Sequence, residues 1–515
     1  MERVAPRQVN YDNILPLAIE SRSNRREFLP VNGQQFSNSS GATICRIDVN
    51  ADSMLDATHS YLECKVKNQS GTPNSNLSIN PFTPAWIQRL RIESGGVVIE
   101  DINEYSRLYA MLVLQQCPQN YVMNNLSNQG LYKHISSANL AAPANADVYL
   151  PTNGGASGLV RDTSAGGTNA ENITQPITEI MYSMSCQALM KGVRTDMDYG
   201  ICASSAFNQP TAEGLLIQQQ TRLAVNASQT MCFPLVSGFL NMDKYIPLIM
   251  MNAGFTIELT LCDANRIGLT QTETAGANAG AFIANLWEVN NIRYVAHLID
   301  LDRSFYDRLR SVMEGSGGVL QLAGQTYRHF VGEMPNNVGP HTITLPARVK
   351  SVKSIFGTFI DTTQMGNILN YDTSVFQHAG LDTYRFEIGS VRYPQTDVQA
   401  GTAQNEVELQ KAWGRLGDYA HQQAYTNKHT QNGEEERDGS TYGKALLSAY
   451  AIGYDFEAFQ RVALEAGINT ADRSLPINFI ATRSGATTNA TRCDFFILVD
   501  AIYYINLDGT VSVSI

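Results

Sequence analysis

The chain has 515 residues, 43% of them apolar and only 17% charged, against the roughly 25% usual in soluble domains; one hydrophobic core rarely organises so long a chain, so two or more domains are expected. The formal net charge of −11 argues against holding nucleic acid through the general field of the protein, and any such contact would need a local basic patch. The eight cysteines form no C-x-x-C pair, which argues against a zinc ribbon or dithiol motif; several sit in apolar strand patterns, and a reducing compartment is expected.

The opening stretch MERVAPRQVNYDNILPLAIE lacks the apolar run of a signal peptide. No run of about 18 apolar residues predicts a transmembrane helix. Secretion by signal peptide is not expected, so the Asn-x-Ser/Thr triplets are expected to stay idle. Residues up to about Arg26 set Arg3, Arg7, Arg22, Arg25 and Arg26 against Glu2, Asp12 and Glu20. An extended N-terminal arm with a basic end fits that composition, and so does a frayed terminus.

Strand patterns begin at TICRIDV, where Cys45, Ile47 and Val49 alternate with Ile44, Arg46 and Asp48. YLECKVK repeats the alternation with Leu62, Cys64 and Val66. Period two with one charged face predicts half-buried antiparallel strands. IQRLRIE and VVIEDI flank Ser94, Gly95 and Gly96, a hairpin connection. A helix is predicted from Asn103 to Gln116, with Tyr105, Leu108, Tyr109 and Leu112 on one face. Residues from about 117 to 220 read as loop chemistry, too long to be simple coil inside a compact domain; they are expected to be an insertion with some structure of its own.

Strand character returns in FPLVSGFLNMDKYIPLIMMNAGFTIELTLC and in AFIANLWEVNNIRYVAHLID. Asp302 or Ser304 can cap a helix running to about Met313. HTITLPA, VKSIFGTFI and YRFEIGSVRYP then read as strands. A second polar excursion covers about 395–443, with a short helix near Glu406 to Leu416 anchored by Trp413. It also carries the charge cluster Glu434 to Asp438, expected to be a solvated loop tip. The first half closes with FTIELTLC, a Gly/Thr-rich loop and a long strand. The chain closes in the same way with LPINFIAT, RSGATTNATR and CDFFILVDAIYYINLDGTVSVSI. That echo supports two copies of one β-domain. Strands bounded by Gly, Asn and Thr turns favour a sandwich over a parallel sheet, and the eight-stranded jelly roll is a common form of it. The predicted fold class is all-β: two consecutive eight-stranded antiparallel jelly rolls with long loop insertions and a few short helices. The expected division is an arm over 1–27, a first roll over 28–302, a linker helix over 303–316 and a second roll over 317–515.

Residues 245–261, YIPLIMMNAGFTIELTL, resemble a signature of double jelly-roll major capsid proteins of large DNA viruses of eukaryotes, an A-L-P-L-I-A-L-x-x-x-x-V-x-I-type run. LWEVNNIRYVAHLIDLDRSFYDRLRSVM follows in that family's order of strand, acidic turn and charged helix. YRFEIGSVRYP, IGYDFEAF, AGINT and LPINF match its second half. Within that lineage the chain is similar to the capsid proteins of polinton-like viruses and virophages, with polintons and adintoviruses nearby. The resemblance implies a homotrimer of six jelly rolls forming a pseudo-hexameric capsomer of an icosahedral virion, with both insertions as outward towers. It also implies neighbouring capsomers, penton proteins and minor or cement proteins as partners, and assembly from protein made in the host cytoplasm or nucleus. The arm would lie at the base, and its Arg22, Arg25 and Arg26 would make salt bridges between capsomers or meet an interior polyanion, DNA or membrane.

Signals of catalysis are weak. G-x-S-x-G and G-x-x-x-x-G-K-[ST] are absent, and the eight histidines form no H-E-x-x-H or H-x-H spacing. Asp300 and Asp302 in DLDRS read as a strand end and a helix cap rather than a phosphotransfer D-x-D. Phe495, Phe496, Tyr503 and Tyr504 alternate inside an apolar strand and read as core rather than as a stacking platform for single-stranded nucleic acid. No catalytic, cofactor-binding or metal-binding residue is assigned, and no cofactor or enzymatic activity is expected. The alternatives are an adhesive or carbohydrate-binding β-protein of a virion spike or fibre, and a hydrolase on a β-sandwich.

Overall fold

The computed structural model describes residues 20–117, 222–272, 282–416, 450–458 and 466–515 apart from a few short gaps, together with short pieces between 126 and 218. Its first half contains eight principal strands: β1 (Ser21–Phe28), β2 (Ile44–Val49), β3 (Met54–Asn68), β4 (Ile87–Ser94), β5 (Val97–Asn103), β6 (Ser228–Phe233), β7 (Phe255–Leu261) and β8 (Trp287–Leu301). They pair antiparallel in two sheets, ordered β1-β8-β3-β6 and β2-β7-β4-β5. Helix α1 (Tyr105–Gln116) follows β5, and helix α2 (Arg303–Gly315) follows β8.

The second half repeats this with β9 (Val319–Met334), β10 (Gly339–Leu345), β11 (Val352–Asp361), β12 (Thr383–Ile388), β13 (Val391–Gln399), β14 (Ile452–Asp455), β15 (Ile477–Arg483) and β16 (Thr491–Asn506). The orders are β9-β16-β11-β14 and β10-β15-β12-β13. Each is the first half's order with eight added to every label. Helix α3 (Ala403–Ala412) follows β13 just as α1 follows β5. Both long insertions therefore leave the scaffold at the same topological point, after the helix that trails the fifth strand. Two four-stranded sheets with this order make a jelly roll, and the chain contains two.

Local sequence explains most of these elements. Along β2, Cys45, Ile47 and Val49 are buried while Ile44, Arg46 and Asp48 are exposed, as their alternation predicts. The β4–β5 turn uses Gly95 and Gly96 at φ 55° and 84°, conformations that suit glycine. Asp302 caps α2 by accepting from the Ser304 N–H at 3.2 Å. Trp413 anchors the end of α3 by stacking on Phe356, ring centroids 3.6 Å apart.

Some expectations change. Residues 21–27 of the predicted arm form, together with Phe28, the edge strand β1, in register with β8 from Ser21 opposite Leu301 to Phe28 opposite Tyr294. The excursion expected from 395 begins later, because β13 continues to Gln399. Within the run read as strand from Phe233, residues 234–243 are not in a strand and strand returns only at Ile246–Pro247 and β7. Strand β9 was not foreseen. Most of the first insertion and the cluster from Glu434 to Asp438 lie outside the described residues.

A smaller sheet joins Ser75–Ile79, Arg222–Leu223, Gly268–Thr272 and Phe282–Ile283. Its strands come from the β3–β4, α1–β6 and β7–β8 connections, so three loops of the first roll are tied together at one end.

Candidate functional site

The second roll has its own core between its sheets, including Ile355, Phe359, Tyr384, Phe479, Cys493, Phe495, Ile497 and Val499. The neighbouring residues on the same strands, Phe356 and Phe496, belong instead to the core of the first roll, along with Ala501, Tyr503 and Ile505. Strand β16 is thus buried on both faces, one against its own roll and one against its neighbour. This explains why CDFFILVDA reads as a nearly continuous apolar run, and it agrees with the expectation that Phe495, Phe496 and Tyr503 are core.

The joint between the rolls also contains a compact set of charges. Arg107, on α1, places its Nε 3.1 Å from Asp494 Oδ2, both side chains fully buried. Its guanidinium also donates to the Asp372 carbonyl. Arg266 lies 2.7 Å from Glu104 and 2.9 Å from Asp372. Arg492 bridges Glu104 at 2.9 Å and Asp494 at 3.0 Å, and His329 Nε2 is 2.9 Å from Asp494 Oδ1. Glu104, Arg107 and Arg266 belong to the first roll and the others to the second, so three arginines face three carboxyl groups; for one of these, Asp372, burial outweighs Arg266 and raises the pKa. Burial opposes the charged forms of Asp494 and Glu104. The Arg107 guanidinium beside the first and Arg266 beside the second outweigh it, and both carboxyls end below their ordinary values.

A second polar contact crosses the joint nearby. Glu100 on β5 accepts from the Thr326 hydroxyl of β9, the Ser237 hydroxyl and, at 2.8 Å, the Gly238 N–H. Burial outweighs these donors and raises its pKa. Glu104 stands at φ 51°, at the start of α1. That backbone conformation is costly for a residue with a Cβ, and the two arginines on its carboxylate hold it there.

The residues singled out from the sequence fall elsewhere. Arg22, Arg25 and Arg26 lie on β1, where strand alternation separates them: Arg25 points to one face, Arg22 and Arg26 to the other. Arg25 pairs with Glu27 at 3.1 Å and sits over the Tyr61 ring at 5.9 Å. Arg26 sits over Phe28 at 5.0 Å, and Arg22 is opposite Asp300. Asp300 accepts from Asn24, so Asp300 and Asp302 serve a strand end and a cap. Cys45, Cys64, Cys117, Cys232 and Cys493 are free thiols. Burial pushes the Cys45 thiol up to about 12 and that of Cys117 to about 11, which makes both poor nucleophiles. Among the described residues, no group of three or more His, Cys, Asp or Glu side chains could hold a metal ion, and no helix is long and apolar enough to cross a membrane.

The repeated strand order and the buried joint together define a double jelly roll. No family model and no curated protein matches the chain in sequence. Among solved structures it is similar to VP54 of the virus PBCV-1, in the structure fitted into a reconstruction of the virophage Sputnik, with a TM-score of 0.53 and 10% identity over 98% of this chain and 99% of that one. It is also similar to the Faustovirus major capsid protein, with a TM-score of 0.51 and 10% identity over 97% of this chain and 92% of that one. At this identity the likeness is one of fold, and it spans both rolls.

Proposed function

We propose that the protein is a major capsid protein, a structural subunit rather than an enzyme, which trimerises into pseudo-hexameric capsomers and tiles the icosahedral shell of a DNA virus. The single jelly roll serves lectins and enzymes as well as shells, so the fold of one half carries little. The duplication carries the reading: two rolls of one strand order, locked by a buried joint, give a threefold trimer six equivalent modules and a nearly hexagonal outline. Such an outline lets one chain tile a surface, and many repeated contacts hold a shell even when each is weak. The chain's negative charge limits sticking between particles.

On this reading the first roll runs to 302 and takes in the edge strand β1 from Ser21, residues 303–316 link the rolls, and the second roll runs over 317–515. The two insertions leave at matching points and form the outward towers. Arg22, Arg25 and Arg26 serve contacts between capsomers or with an interior polyanion, DNA or membrane. Penton and minor or cement proteins complete the shell, in a virus of the polinton-like and virophage group. The protein resides in the virion capsid after synthesis in the host cytoplasm or nucleus.

Solution mass and negative-stain imaging test this. A particle of three times 56.6 kDa with a hexagonal outline is expected. A dimer or an elongated fibre overturns the capsomer and favours an adhesive β-protein of a spike or fibre.

A further inference from the structure

The second roll holds a buried lysine that the capsomer reading does not use. Lys353 lies near the start of β11, and its side chain is only 7% exposed. Pairing along β11 steps from Val352 opposite Val499 to Ser354 opposite Leu498, so Lys353 is the extra residue of a β-bulge. A bulge re-aims a side chain out of the alternation of its strand. Here it carries the lysine between two carboxyl groups: Nζ stands 2.5 Å from Glu457 Oε1 and 3.4 Å from Asp500 Oδ1.

Each member of the set is held by its backbone. The chain leaving β14 is tied to the bulge by the Phe456 N–H, which donates to the Lys353 carbonyl at 2.7 Å. Glu457 is fixed by its own N–H, which donates to Asp455 Oδ1 at 2.9 Å. Asp500, on β16, donates its N–H to the Ser351 carbonyl at 3.3 Å, and its Oδ2 accepts from the Ser351 hydroxyl at 2.7 Å. Ser351, Lys353 and Asp500 are all buried.

Stability alone does not call for this arrangement, since a buried ion pair is often no better than apolar side chains of the same size. Lysine is also among the residues least often buried. Among the described residues the other lysine–carboxylate pairs are built differently. Lys67 with Glu288 and Lys411 with Glu408 have one carboxylate each, and their lysine side chains are 28% and 38% exposed. Water reaches those ammonium groups; at Lys353 an amine, a carboxyl carbon and a second carboxylate meet in a nearly dry place.

We propose that Lys353 and Asp500 join in an isopeptide bond that the folded chain makes by itself, with Glu457 as the proton carrier. Glu457 takes a proton from the Nζ ammonium and hands it to Asp500 Oδ1. The freed lone pair attacks Asp500 Cγ, and the Ser351 hydroxyl donates to the charge that collects on Oδ2. A second proton follows the same route, Oδ1 leaves as water, and Glu457 returns to its starting form. One C–N bond forms, one C–O bond breaks, and no oxidant or reductant takes part. The separation of 3.4 Å is a near-attack distance, and burial favours the exchange because a neutral amide replaces an ion pair. The bond ties β11 to β16 and closes a covalent loop around β12 to β15 and the second insertion. Like a disulfide it restricts the unfolded chain, but it needs no oxidising compartment.

The test is the mass of the full chain, purified folded and then denatured. The parent should be lighter than its sequence by one water, and a tryptic digest should contain a branched peptide joining position 353 to position 500. Lys353→Arg keeps the cation but removes the nucleophile, and Glu457→Gln leaves both reacting groups but removes the proton carrier; each should show its full encoded mass. The readout is covalent, so it holds whether or not a variant is less stable. A parent at its full encoded mass overturns the proposal, and so does a water lost from any other pair of positions. A Glu457→Gln chain linked as completely as the parent overturns the part given to Glu457.

Discussion

Asp494→Ala is expected to destabilise the folded chain by about 3–5 kcal/mol, the usual consequence of removing one partner from a buried ion pair, read as a lower denaturation midpoint. The carboxylate faces Arg107 at 3.1 Å and Arg492 at 3.0 Å, and its side chain is fully buried. Without it, Arg107 and His329 lose their anion inside the joint, and Arg492 keeps only Glu104 at 2.9 Å. Replacing Arg107 and Asp494 together with Met and Leu should cost less than the single change, because the charge is then removed rather than orphaned. If the double variant is the less stable, the pair contributes net attraction beyond its desolvation cost. The pH dependence follows from the same geometry. Asp494 and Glu104 have folded pKa values below their unfolded ones, so their contribution is present above the ordinary carboxylate range of about 4. It is lost as pH falls from there through their lower folded-state values. Unfolding followed between pH 7 and pH 5 should show no loss from Asp494 or Glu104, and Asp494→Ala should flatten the decline seen in stronger acid.

How far the fold could be read from sequence depended on how each element is buried. Strands with one face in the core and one in solvent, such as β2 and β7, show period two and were legible. Helix α1 was legible through Tyr105, Leu108 and Tyr109, and α2 through its cap at Asp302. Strand β9 was not, because one part of it faces its own roll, another faces the joint and the rest is exposed; no single period describes three environments. Strand β1 was hidden for a different reason. SRSNRREF has little β-propensity, and it forms a strand because β8 offers a pairing edge, an instance of tertiary context overriding local preference.

The candidate site was less legible still. Two members left a local trace, a charge inside an apolar run: Arg107 in YSRLYAMLVL and Asp494 in CDFFILVD. Such a charge must find a partner if it is buried, and that much could be inferred from sequence. The partner could not, since Glu104 and Arg492 are separated by 388 positions. The echo between the two halves was visible as a pattern and proved to be an identity of strand order. The arginines of the N-terminal segment looked like one basic cluster because they are close in sequence; the pleat of β1 turns Arg25 away from the other two. Proximity along the chain is a poor guide to a shared surface once the segment is a strand.

Gly238→Ala should weaken the joint by steric conflict rather than by charge. A Cβ at this position would lie 1.9 Å from the Gln325 carbonyl oxygen and 2.6 Å from its carbon. Both atoms are backbone of β9, held in register with Asp500 on β16, so neither can step aside without moving the strand. At Gly324, across the joint, the first obstacle is the Tyr503 ring at 2.9 Å, followed by the Gly238 oxygen at 3.1 Å and Met242 at 3.2 Å; side-chain atoms there can yield by a few tenths of an ångström. The Gly238 substitution is therefore expected to cost about 3 kcal/mol, the upper end for overpacking, and Gly324→Ala less. Gly71→Ala, where nothing lies within 4 Å, should stay within about 0.5 kcal/mol of the parent. The three midpoints in one denaturant series, with limited proteolysis to detect separation of the rolls, check the order. If Gly238→Ala behaves like Gly71→Ala, the two backbones are not in close contact in solution, and the rolls are held by the charges and the aromatic side chains alone.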